Sequence, residues 1–259
     1  MYPALSELKI LAQQAGVILR ANYGNQQRIK HKTSQTDLVT EVDYASEKFI
    51  LDHLHLRYPD HEIVAEESGQ HGDNHTHSWY IDPLDGTVNY AHGIPIFSVS
   101  IAYSKNGQVR LGVVFDPMRD ECFSAERGKG AWLNGQSIHI AQAEELANSL
   151  LVTGFPYDTW SAKENNLDHY ARFSVRSQGV RRLGSAALDL CYVAAGRFDG
   201  FWELRLSPWD VAAGGLIAEE AGALVTNIKG EKNYLTAVPS IIAANATLHA
   251  QMLSTLQRN

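Results

Sequence analysis

The amino-acid sequence predicts a layered α/β or α+β protein, not a simple Rossmann repeat. Apolar residues recur at helical spacing near the N-terminus, and the middle of the chain alternates short apolar runs with turn signals such as Lys105-Asn106-Gly107. Helix and strand patterns then follow one another to the C-terminus. Because adjacent hairpins and separate helices share one chain of 259 residues, we expect sheets that are covered by helices.

The helical elements are predicted from apolar spacing and capping signals. The first runs from about Ala4 to Tyr23 and is closed by Gly24. The second begins at the capping-box pattern Thr40-Glu41-Val42-Asp43, and its buried face is expected to contain Val42, Ala45, Phe49 and Ile50. Further helices are predicted over 165–175 and 185–195, from Ser207-Pro208, and from His249 to the C-terminus.

The strands are predicted from short apolar runs between turn signals. They cover residues 62–65, a run that ends at Asp82, and then 97–103, 109–115, 121–125, 150–153, 198–204, 224–227 and 241–244. A polar loop over residues 68–78 is expected between the first two. No linker-like stretch divides the chain, so we expect one catalytic domain over residues 1–259 with two packed halves, about 1–145 and 146–259.

Composition excludes several classes of function. The formal charge of −7, without a long Lys/Arg run, argues against direct nucleic-acid binding. No apolar run approaches a membrane span, and no signal-peptide pattern begins the chain. Cys122 and Cys191 lie far apart in apolar surroundings, so we expect reduced packing residues in a cytoplasmic protein.

The most informative segment is Asp82-Pro83-Leu84-Asp85-Gly86-Thr87, at the end of an apolar strand. Two carboxylates so close repel each other unless a cation lies between them, and hard divalent cations prefer oxygen ligands. Pro83 fixes its own φ, so the Leu84 carbonyl could face the same ion. Amides at Gly86 and Thr87, if they open a short helix, would face an anion. A cation site beside an anion site suggests phosphate chemistry.

Other acidic residues lie at element boundaries, namely Asp43, Glu66-Glu67 and Asp210. Each alone has a simpler interpretation: an aspartate in the first turn of a helix caps it, and a glutamate at a strand end is solvated. Spacing does not show whether these side chains converge. Together with Asp82 and Asp85 they would suffice for two or three Mg²⁺ ions, each of which usually takes one or two protein carboxylates.

Three ordered segments resemble the successive signatures of the inositol monophosphatase family. They are residues 64–69, with Glu66-Glu67-Ser68-Gly69, then 79–89, and then 207–215, with Trp209-Asp210. Their order and separations fit the family over nearly the whole chain. Residues 36–43, 127–135 and 184–190 agree as well. Several of these segments, together with Ala125 and residues 153–156, are especially similar to the bacterial SuhB branch.

The resemblance implies a Mg²⁺-dependent, lithium-sensitive phosphomonoesterase. The implied fold is an alternating α/β/α/β/α sandwich of the inositol monophosphatase and fructose-1,6-bisphosphatase type, usually a homodimer. The implied substrate is inositol monophosphate or a similar small polyol phosphate. Relatives in the wider superfamily cleave fructose 1,6-bisphosphate, histidinol phosphate or 3′-phosphoadenosine 5′-phosphate. The sequence near Glu203 looks least like the nucleotide and histidinol branches, so the alternative is another small phosphate ester such as fructose 1,6-bisphosphate.

The resemblance also implies roles for individual residues. The first metal would take Glu66, Asp82, the Leu84 carbonyl and Thr87, the second Asp82, Asp85 and Asp210, and the third Glu66 with water molecules. Asp43 would orient Thr87, whose hydroxyl helps to position the attacking water. The matched substrate contacts are Asp85, Gly86, Thr87, Gly184, Ser185, Ala186, Glu203, Asp210 and Lys32, the last a basic residue near the phosphate.

A second function of another class follows from the same resemblance. Proteins of the SuhB branch are also partners of transcription antitermination factors, and Arg181-Arg182 matches an arginine pair of that branch. The simpler interpretation of such a pair is a solvated or dimer-interface charge. The two functions are compatible in one protein.

Overall fold

The computed structural model describes residues 2–25, 29–31 and 38–257. These residues form seven α-helices: α1 (Leu5–Asn22), α2 (Glu41–Arg57), α3 (Thr87–Ala91), α4 (Leu167–Ser174), α5 (Ala186–Ala194), α6 (Pro208–Glu220) and α7 (Ala246–Leu256). The helix α2 begins with the capping box that its sequence predicts, between Thr40 and Asp43. The helix α6 likewise begins with Ser207 as N-cap and Pro208 at its first position.

The strands form three sheets. In chain order they are β1 (Ile29–His31), β2 (Leu38–Thr40), β3 (Glu62–Ala65), β4 (Gly69–His71), β5 (His77–Asp85), β6 (Ser98–Lys105), β7 (Gln108–Asp116), β8 (Glu121–Glu126), β9 (Gly130–Leu133), β10 (Gln136–Ser137), β11 (Leu150–Thr153), β12 (Gly179–Arg181), β13 (Gly200–Glu203), β14 (Leu224–Thr226) and β15 (Ile241–Ala244). An eight-stranded sheet has the order β10-β9-β8-β7-β6-β5-β3-β4, a five-stranded sheet the order β12-β11-β13-β15-β14, and β1 pairs with β2. The pairing of β3 with β5 is parallel.

Helices and sheets alternate in five layers. The helices α1 and α2 pack on one face of the eight-stranded sheet, and α6 packs on its other face. The helix α5 packs beside α6 and contacts the five-stranded sheet, and α4 and α7 contact that sheet and each other. The largest buried cluster lies between the two sheets, around α5 and α6. The order is therefore α/β/α/β/α, as predicted, while the division into halves near residue 145 stays a prediction.

Most predicted elements are confirmed, and three predictions were wrong in detail. The buried face of α2 includes Val42 and Ile50, but Ala45 is exposed and Phe49 is only partly buried, because the helix turns Asp43, Ser46 and Glu47 inward instead. The loop over residues 68–78 contains β4, which pairs with β3. The last helix begins at Ala246, not His249, because the Asn245 side chain accepts the Leu248 amide at 3.0 Å and caps the helix.

Two expectations from composition concern membrane-spanning segments and the cysteines. Within residues 2–25, 29–31 and 38–257, none of the helices is apolar over enough residues to cross a membrane. Cys122 and Cys191 are free, and both are buried in the apolar cores. The prediction that the two cysteines are packing residues is confirmed.

Candidate active site

The strand β5 ends with an irregularity that turns both of its aspartates to the same side. Its pairing with β6 shifts register between Asp82 and Asp85, since Asp82 lies opposite Ser100 and Asp85 lies opposite Ser98. Residues three apart in a regular strand face opposite sides of the sheet. The one extra residue of β5 between Asp82 and Asp85 brings both side chains to the same side. Asp82 and Asp85 are both buried and line one cavity.

Glu66 joins these aspartates because β3 and β5 are parallel neighbours. Their carboxyl ends meet at one edge of the sheet, and the Glu66 amide donates to the Ile81 carbonyl at 3.1 Å. Glu66 lines the same cavity as Asp82. The next residue, Glu67, belongs to a different contact, since its amide donates to Glu47 at 2.8 Å.

Asp210 reaches the cavity from the first turn of α6. Its Oδ2 accepts the Ser207 amide at 2.6 Å, which is one half of a capping box. The Ser100 hydroxyl donates to the Trp209 carbonyl at 3.3 Å and ties this end of the helix to β6. Asp210 therefore caps α6, which is the simpler interpretation of its sequence position. It also lines the cavity together with Asp82 and Asp85.

Asp85 is held from the other side by the start of α5. Its Oδ2 accepts the Ser185 hydroxyl at 2.5 Å and the Ala187 amide at 2.8 Å. These bonds engage only one oxygen of the carboxylate and leave Oδ1 for another ligand. Since Asp85 lies at the end of β5 and Ser185 at the start of α5, the bond fixes the eight-stranded sheet against the helical layer behind it.

Asp43 and Thr87 form a separate buried pair at the edge of the cavity. Asp43 Oδ2 accepts the Thr40 amide at 2.9 Å and the Thr40 hydroxyl at 2.5 Å, which leaves Oδ1 facing Thr87. The Thr87 hydroxyl lies 3.1 Å from Asp43 Oδ1 and 3.1 Å from the Leu84 carbonyl oxygen. A hydroxyl has one proton and donates to one of these at a time.

Burial and mutual repulsion dominate the electrostatics of this cavity. Burial, and then the charges of Glu66, Asp85 and Asp210, raise the pKa of Asp82 well above its ordinary value. Burial, and then Asp85 and Glu66, do the same to the pKa of Asp210. Burial raises the pKa of Asp85 to about 6, although hydrogen bonds from the Ser185 side chain and the α5 backbone lower it. Four acidic groups therefore share a site that favours positive charge.

The donor set fits Mg²⁺ by its chemistry. Glu66, Asp82, Asp85, Asp210 and the Leu84 and Thr87 oxygens are all hard oxygen donors that line one cavity. Within the described residues, no group of three or more His, Cys, Asp or Glu side chains already has the arrangement of a metal centre. Instead, a hydrogen bond joins the Asp82 and Glu66 side chains, as expected for carboxyl groups that share a proton.

A second cavity adjoins the acidic one and shares Asp85, Ser207, Asp210 and Tyr157 with it. Its further wall residues include Gly154, Phe155, Pro156, Arg182, Gly184, Ser185, Ala186, Asp189 and Glu203. The structure thus brings together the predicted site residues from β5, α5, β13 and α6. Asp43, which lies behind Thr87, does not line either cavity, and Lys32 lies outside the described residues.

Among the residues that line these cavities without a predicted place in them, Tyr157, Asp189 and Arg182 carry polar groups. Tyr157 follows the end of β11, and a position after a strand end is typical of residues at a ligand cavity. Asp189 lies in α5, where an acidic residue in an otherwise apolar helix was a second signal. The sequence predicts Arg182 only as part of a partner surface, yet its exposed side chain lines the second cavity.

Comparison with known proteins identifies the family. The model of the inositol monophosphatase family matches residues 4–259. The protein named Nus factor SuhB from Salmonella typhimurium is 40% identical over 259 residues, which cover 99% of this chain and 97% of that protein.

Solved structures agree with the sequence comparison. Inositol monophosphatase from Anabaena (Nostoc) sp. PCC 7120 is 41% identical with a TM-score of 0.88, over 97% of this chain and 94% of that chain. The Staphylococcus aureus enzyme SaIMPase-II, solved with bound inositol monophosphate, is 28% identical with a TM-score of 0.80, over 95% of this chain and 90% of that chain. The predicted layered fold and the resemblance are both confirmed. The chain therefore belongs to the inositol monophosphatase family.

Proposed function

We propose that this phosphatase is a Mg²⁺-dependent, lithium-sensitive phosphomonoesterase that hydrolyses inositol monophosphate or a similar small polyol phosphate. Family membership supports the phosphatase class. The observation that carries the proposal is the meeting of Glu66, Asp82, Asp85 and Asp210 in one cavity beside the start of α3. The proposed cofactor is two or three Mg²⁺ ions, because these carboxylates would otherwise repel a phosphate dianion.

The carboxylates and the Leu84 carbonyl hold the cofactor in this proposal. Glu66, Asp82, Leu84 and Thr87 would bind one ion, Asp82, Asp85 and Asp210 a second, and Glu66 with water molecules a third. The chemistry that Mg²⁺ supplies when bound is the activation of water and the compensation of phosphate charge. Since Asp85 and Asp210 are already fixed by the backbone amides of Ala187 and Ser207, they need little rearrangement to bind an ion.

Thr87 and Asp43 position the attacking water. With its proton directed to Asp43 Oδ1, Thr87 Oγ1 presents a lone pair to a water molecule in the cavity. Burial raises the pKa of Asp43 to about 6, against the hydrogen bond from Thr40. The Asp43 carboxylate is therefore a better proton acceptor than a solvated one, and it keeps the Thr87 hydroxyl in this orientation.

The backbone beside Thr87 receives the phosphate. Gly86 has a φ of 99°, and a Cβ atom there would lie 2.9 Å from the Ile96 carbonyl oxygen. Only glycine combines this backbone angle with so close an approach. The Gly86 and Thr87 amides at the start of α3 would then donate to phosphate oxygens, and in-line attack would need mainly positioning and charge stabilisation.

The alcohol part of the substrate occupies the second cavity. Gly184, Ser185 and Ala186 form one wall of it, and Glu203 forms another. A buried carboxyl group is suited to bind hydroxyl groups, which favours a polyol. Fructose 1,6-bisphosphate stays an alternative substrate. The proposal also includes a homodimer. A cytoplasmic location is proposed as well, and the two free, buried cysteines are one observation that supports it.

Phosphate release from a panel of esters tests this function. The panel contains inositol 1-phosphate, fructose 1,6-bisphosphate and 3′-phosphoadenosine 5′-phosphate, each with Mg²⁺, with a chelator, and with Mg²⁺ plus Li⁺. We expect the highest kcat/KM for inositol 1-phosphate, loss of turnover with the chelator, and inhibition by Li⁺. A strong preference for the nucleotide, or turnover without divalent cations, would contradict the proposal.

We propose a second function as a partner of transcription antitermination factors. The relative named Nus factor SuhB supports it, together with the exposed Arg181 at the end of β12. Arg182 is less suitable for separating the two functions, because it lines the substrate cavity. The test therefore uses Arg181→Glu, with the exposed Arg176→Glu as its matched control.

Binding of each variant to a transcription elongation complex that carries antitermination factors would be measured next to phosphatase activity. We expect Arg181→Glu to weaken binding at least tenfold, because it reverses an exposed charge, and to retain phosphatase activity. Arg176→Glu should bind as the unmodified protein does. Equal binding of all three proteins, or no binding by the unmodified protein, would contradict the partner role.

A further inference from the structure

Asp189 is a buried acidic group that the proposed reaction does not use. It lies in the middle of α5, whose residues are all buried and mostly apolar, and only 1% of its surface is exposed. Its Oδ1 atom has no hydrogen-bond partner in the part of the chain that the structure describes. A buried acceptor without a partner destabilises a fold, because the atom has given up its hydrogen bonds to water. A buried polar atom without a partner therefore suggests a functional role for the residue.

The position of Asp189 places it at the substrate cavity. The Asp189 amide donates to the Ser185 carbonyl at 3.0 Å, so Asp189 lies one helical turn beyond the residue that holds Asp85. Asp189 and Ser185 line the same cavity wall. Burial, and then the charges of Glu203 and Asp85, raise the pKa of Asp189 well above its ordinary value.

Glu203 forms the adjoining wall, and the backbone is shaped to accommodate it. A Cβ atom at Gly154 would collide with Glu203 Oε1, so the carboxyl group lies directly over a glycine. Glu203 is itself buried at the end of β13. The cavity therefore presents two carboxyl groups, from α5 and from β13, with the exposed Arg182 also on its wall.

Two carboxyl groups define the chemistry of what can bind there. Each accepts a hydrogen bond from a hydroxyl group, and a protonated carboxyl group also donates one. An alcohol with a single oxygen, which is used by the ester bond, would leave both carboxyl groups unsatisfied.

We propose that Asp189 binds the alcohol part of the substrate together with Glu203, so that the cavity selects phosphate monoesters whose alcohol carries at least two free hydroxyl groups. This inference rests on the proposed phosphatase function and adds a specificity-determining residue to it. Oδ1 of Asp189 accepts one substrate hydroxyl, and Glu203 accepts another. The destabilisation that the unpartnered oxygen causes in the free protein is relieved when such an alcohol binds.

The test compares Asp189→Ala with the unmodified protein on two esters, in the presence of Mg²⁺. Inositol 1-phosphate offers several hydroxyl groups, and phenyl phosphate offers none. We expect kcat/KM for inositol 1-phosphate to fall about 10- to 100-fold, mainly through KM, because one substrate hydroxyl loses its acceptor at residue 189. The value for phenyl phosphate should stay within about twofold, because its alcohol does not contact residue 189. Asp189→Leu is the second variant, should the Ala variant not fold.

A matched control removes another unpartnered polar atom away from the cavity. The hydroxyl of Ser104 in β6 is also buried without a partner among the described residues, and Ser104→Ala should leave both esters unaffected. We expect Asp189→Ala not to lower the melting temperature of the free protein, since it removes a buried acceptor that has no hydrogen-bond partner. A structural role would lower the melting temperature and leave the preference between the esters unchanged, which would overturn the inference.

The two proposals fail in different ways. If the unmodified protein hydrolyses both esters and Asp189→Ala leaves the ratio of their kcat/KM values unchanged, only the role of Asp189 is wrong. If the unmodified protein hydrolyses neither ester with Mg²⁺, the phosphatase function is wrong, and the role of Asp189 falls with it.

Discussion

Two aspartates of the acidic cavity each have a second role in stabilising the fold. Asp210 caps α6 through Ser207, and Asp85 fixes the start of α5 through Ser185, yet both line the acidic cavity. The sequence predicts the residue types and their positions at element ends. It does not predict their convergence, because the parallel pairing of β3 with β5 and the bulge after Asp82 are properties of the folded sheet. The place of Asp189 at the cavity is likewise not predictable from the sequence, since it depends on how α5 packs.

Asp85→Asn is expected to lower kcat by about a thousandfold or more at saturating Mg²⁺. The substitution removes a charge that the proposed cofactor needs, and charge stabilisation by bound ions amounts to several kcal/mol of the barrier. The fold should remain, because an amide oxygen can still accept the Ser185 and Ala187 hydrogen bonds. Phosphate release and circular dichroism measure the two effects.

The control for this substitution is Asp116→Asn, which changes another buried aspartate outside both cavities. Its kcat should change no more than about threefold. Near-normal turnover of the Asp85→Asn protein would remove Asp85 from the site.

Glu203 makes the stability of the free protein depend on pH. Burial raises the pKa of Glu203 from 4.5 to about 8; Arg182 opposes the shift and Asp85 adds to it. Asp189 in α5 also faces it across the cavity. A folded-state pKa above the unfolded value means that the protonated carboxyl contributes stability in full below about pH 4.5, and that this contribution is lost as the pH rises through 8.

Glu203→Gln cannot ionise and should remove this dependence. Urea unfolding of both proteins at pH 5, 7 and 9 measures it. We expect the stability of the variant relative to the unmodified protein to rise with pH, by at most about 1.4 kcal/mol per pH unit. A stability difference that stays constant from pH 5 to 9 would contradict the account of Glu203.

At the scale of elements, the close contact between α6 and β7 determines where Asp210 lies relative to the eight-stranded sheet. A Cβ atom at Gly112 of β7 would lie 2.9 Å from the Ala213 carbonyl oxygen of α6. The helix therefore lies directly on the sheet at a position where only a glycine allows this approach. Asp210 is one turn earlier in the same helix, so the position of its carboxylate depends on this contact.

Gly112→Ala is expected to destabilise the protein by about 1–3 kcal/mol and to lower kcat about tenfold, because α6 must move away from β7 and carries Asp210 with it. Urea unfolding and phosphate release measure the two effects. Val113→Ala is the matched control, since Val113 follows in β7 and packs in the cluster on the other face of the sheet. It should lower stability without lowering kcat. An unchanged kcat in the Gly112→Ala protein would contradict the role assigned to this contact.

The sequence predicts the apolar elements well and the short edge strands poorly. The bounds of β3, β11 and β15 are the predicted ones, because each is a compact apolar run. The strands β4 and β10 were not predicted, since Gly69–His71 and Gln136–Ser137 contain no apolar alternation. Both lie at edges of the eight-stranded sheet, where pairing with a neighbour is enough to make a strand.

At the scale of the whole molecule, the cavity depends on every layer except the outermost helices on the side of the five-stranded sheet. Its acidic residues come from the ends of β3 and β5 and from α6, its neighbouring wall comes from α5 and β13, and Thr87 is supported from α2 by Asp43. These contributions span the sequence from residue 43 to residue 210. The cavity therefore forms only when the two sheets and the helices between them have assembled.

The anomalous signal of Mn²⁺ in crystals tests the central claim most directly. Crystals of the unmodified protein would be soaked in Mn²⁺, which shares the oxygen-ligand preference of Mg²⁺. We predict anomalous peaks between Glu66, Asp82, Asp85 and Asp210, with the second carboxylate oxygens turned toward the ions, and loss of at least one peak in Asp85→Asn crystals. Full occupancy at other places on the protein, with these four carboxylates bound to no ion, would contradict the account.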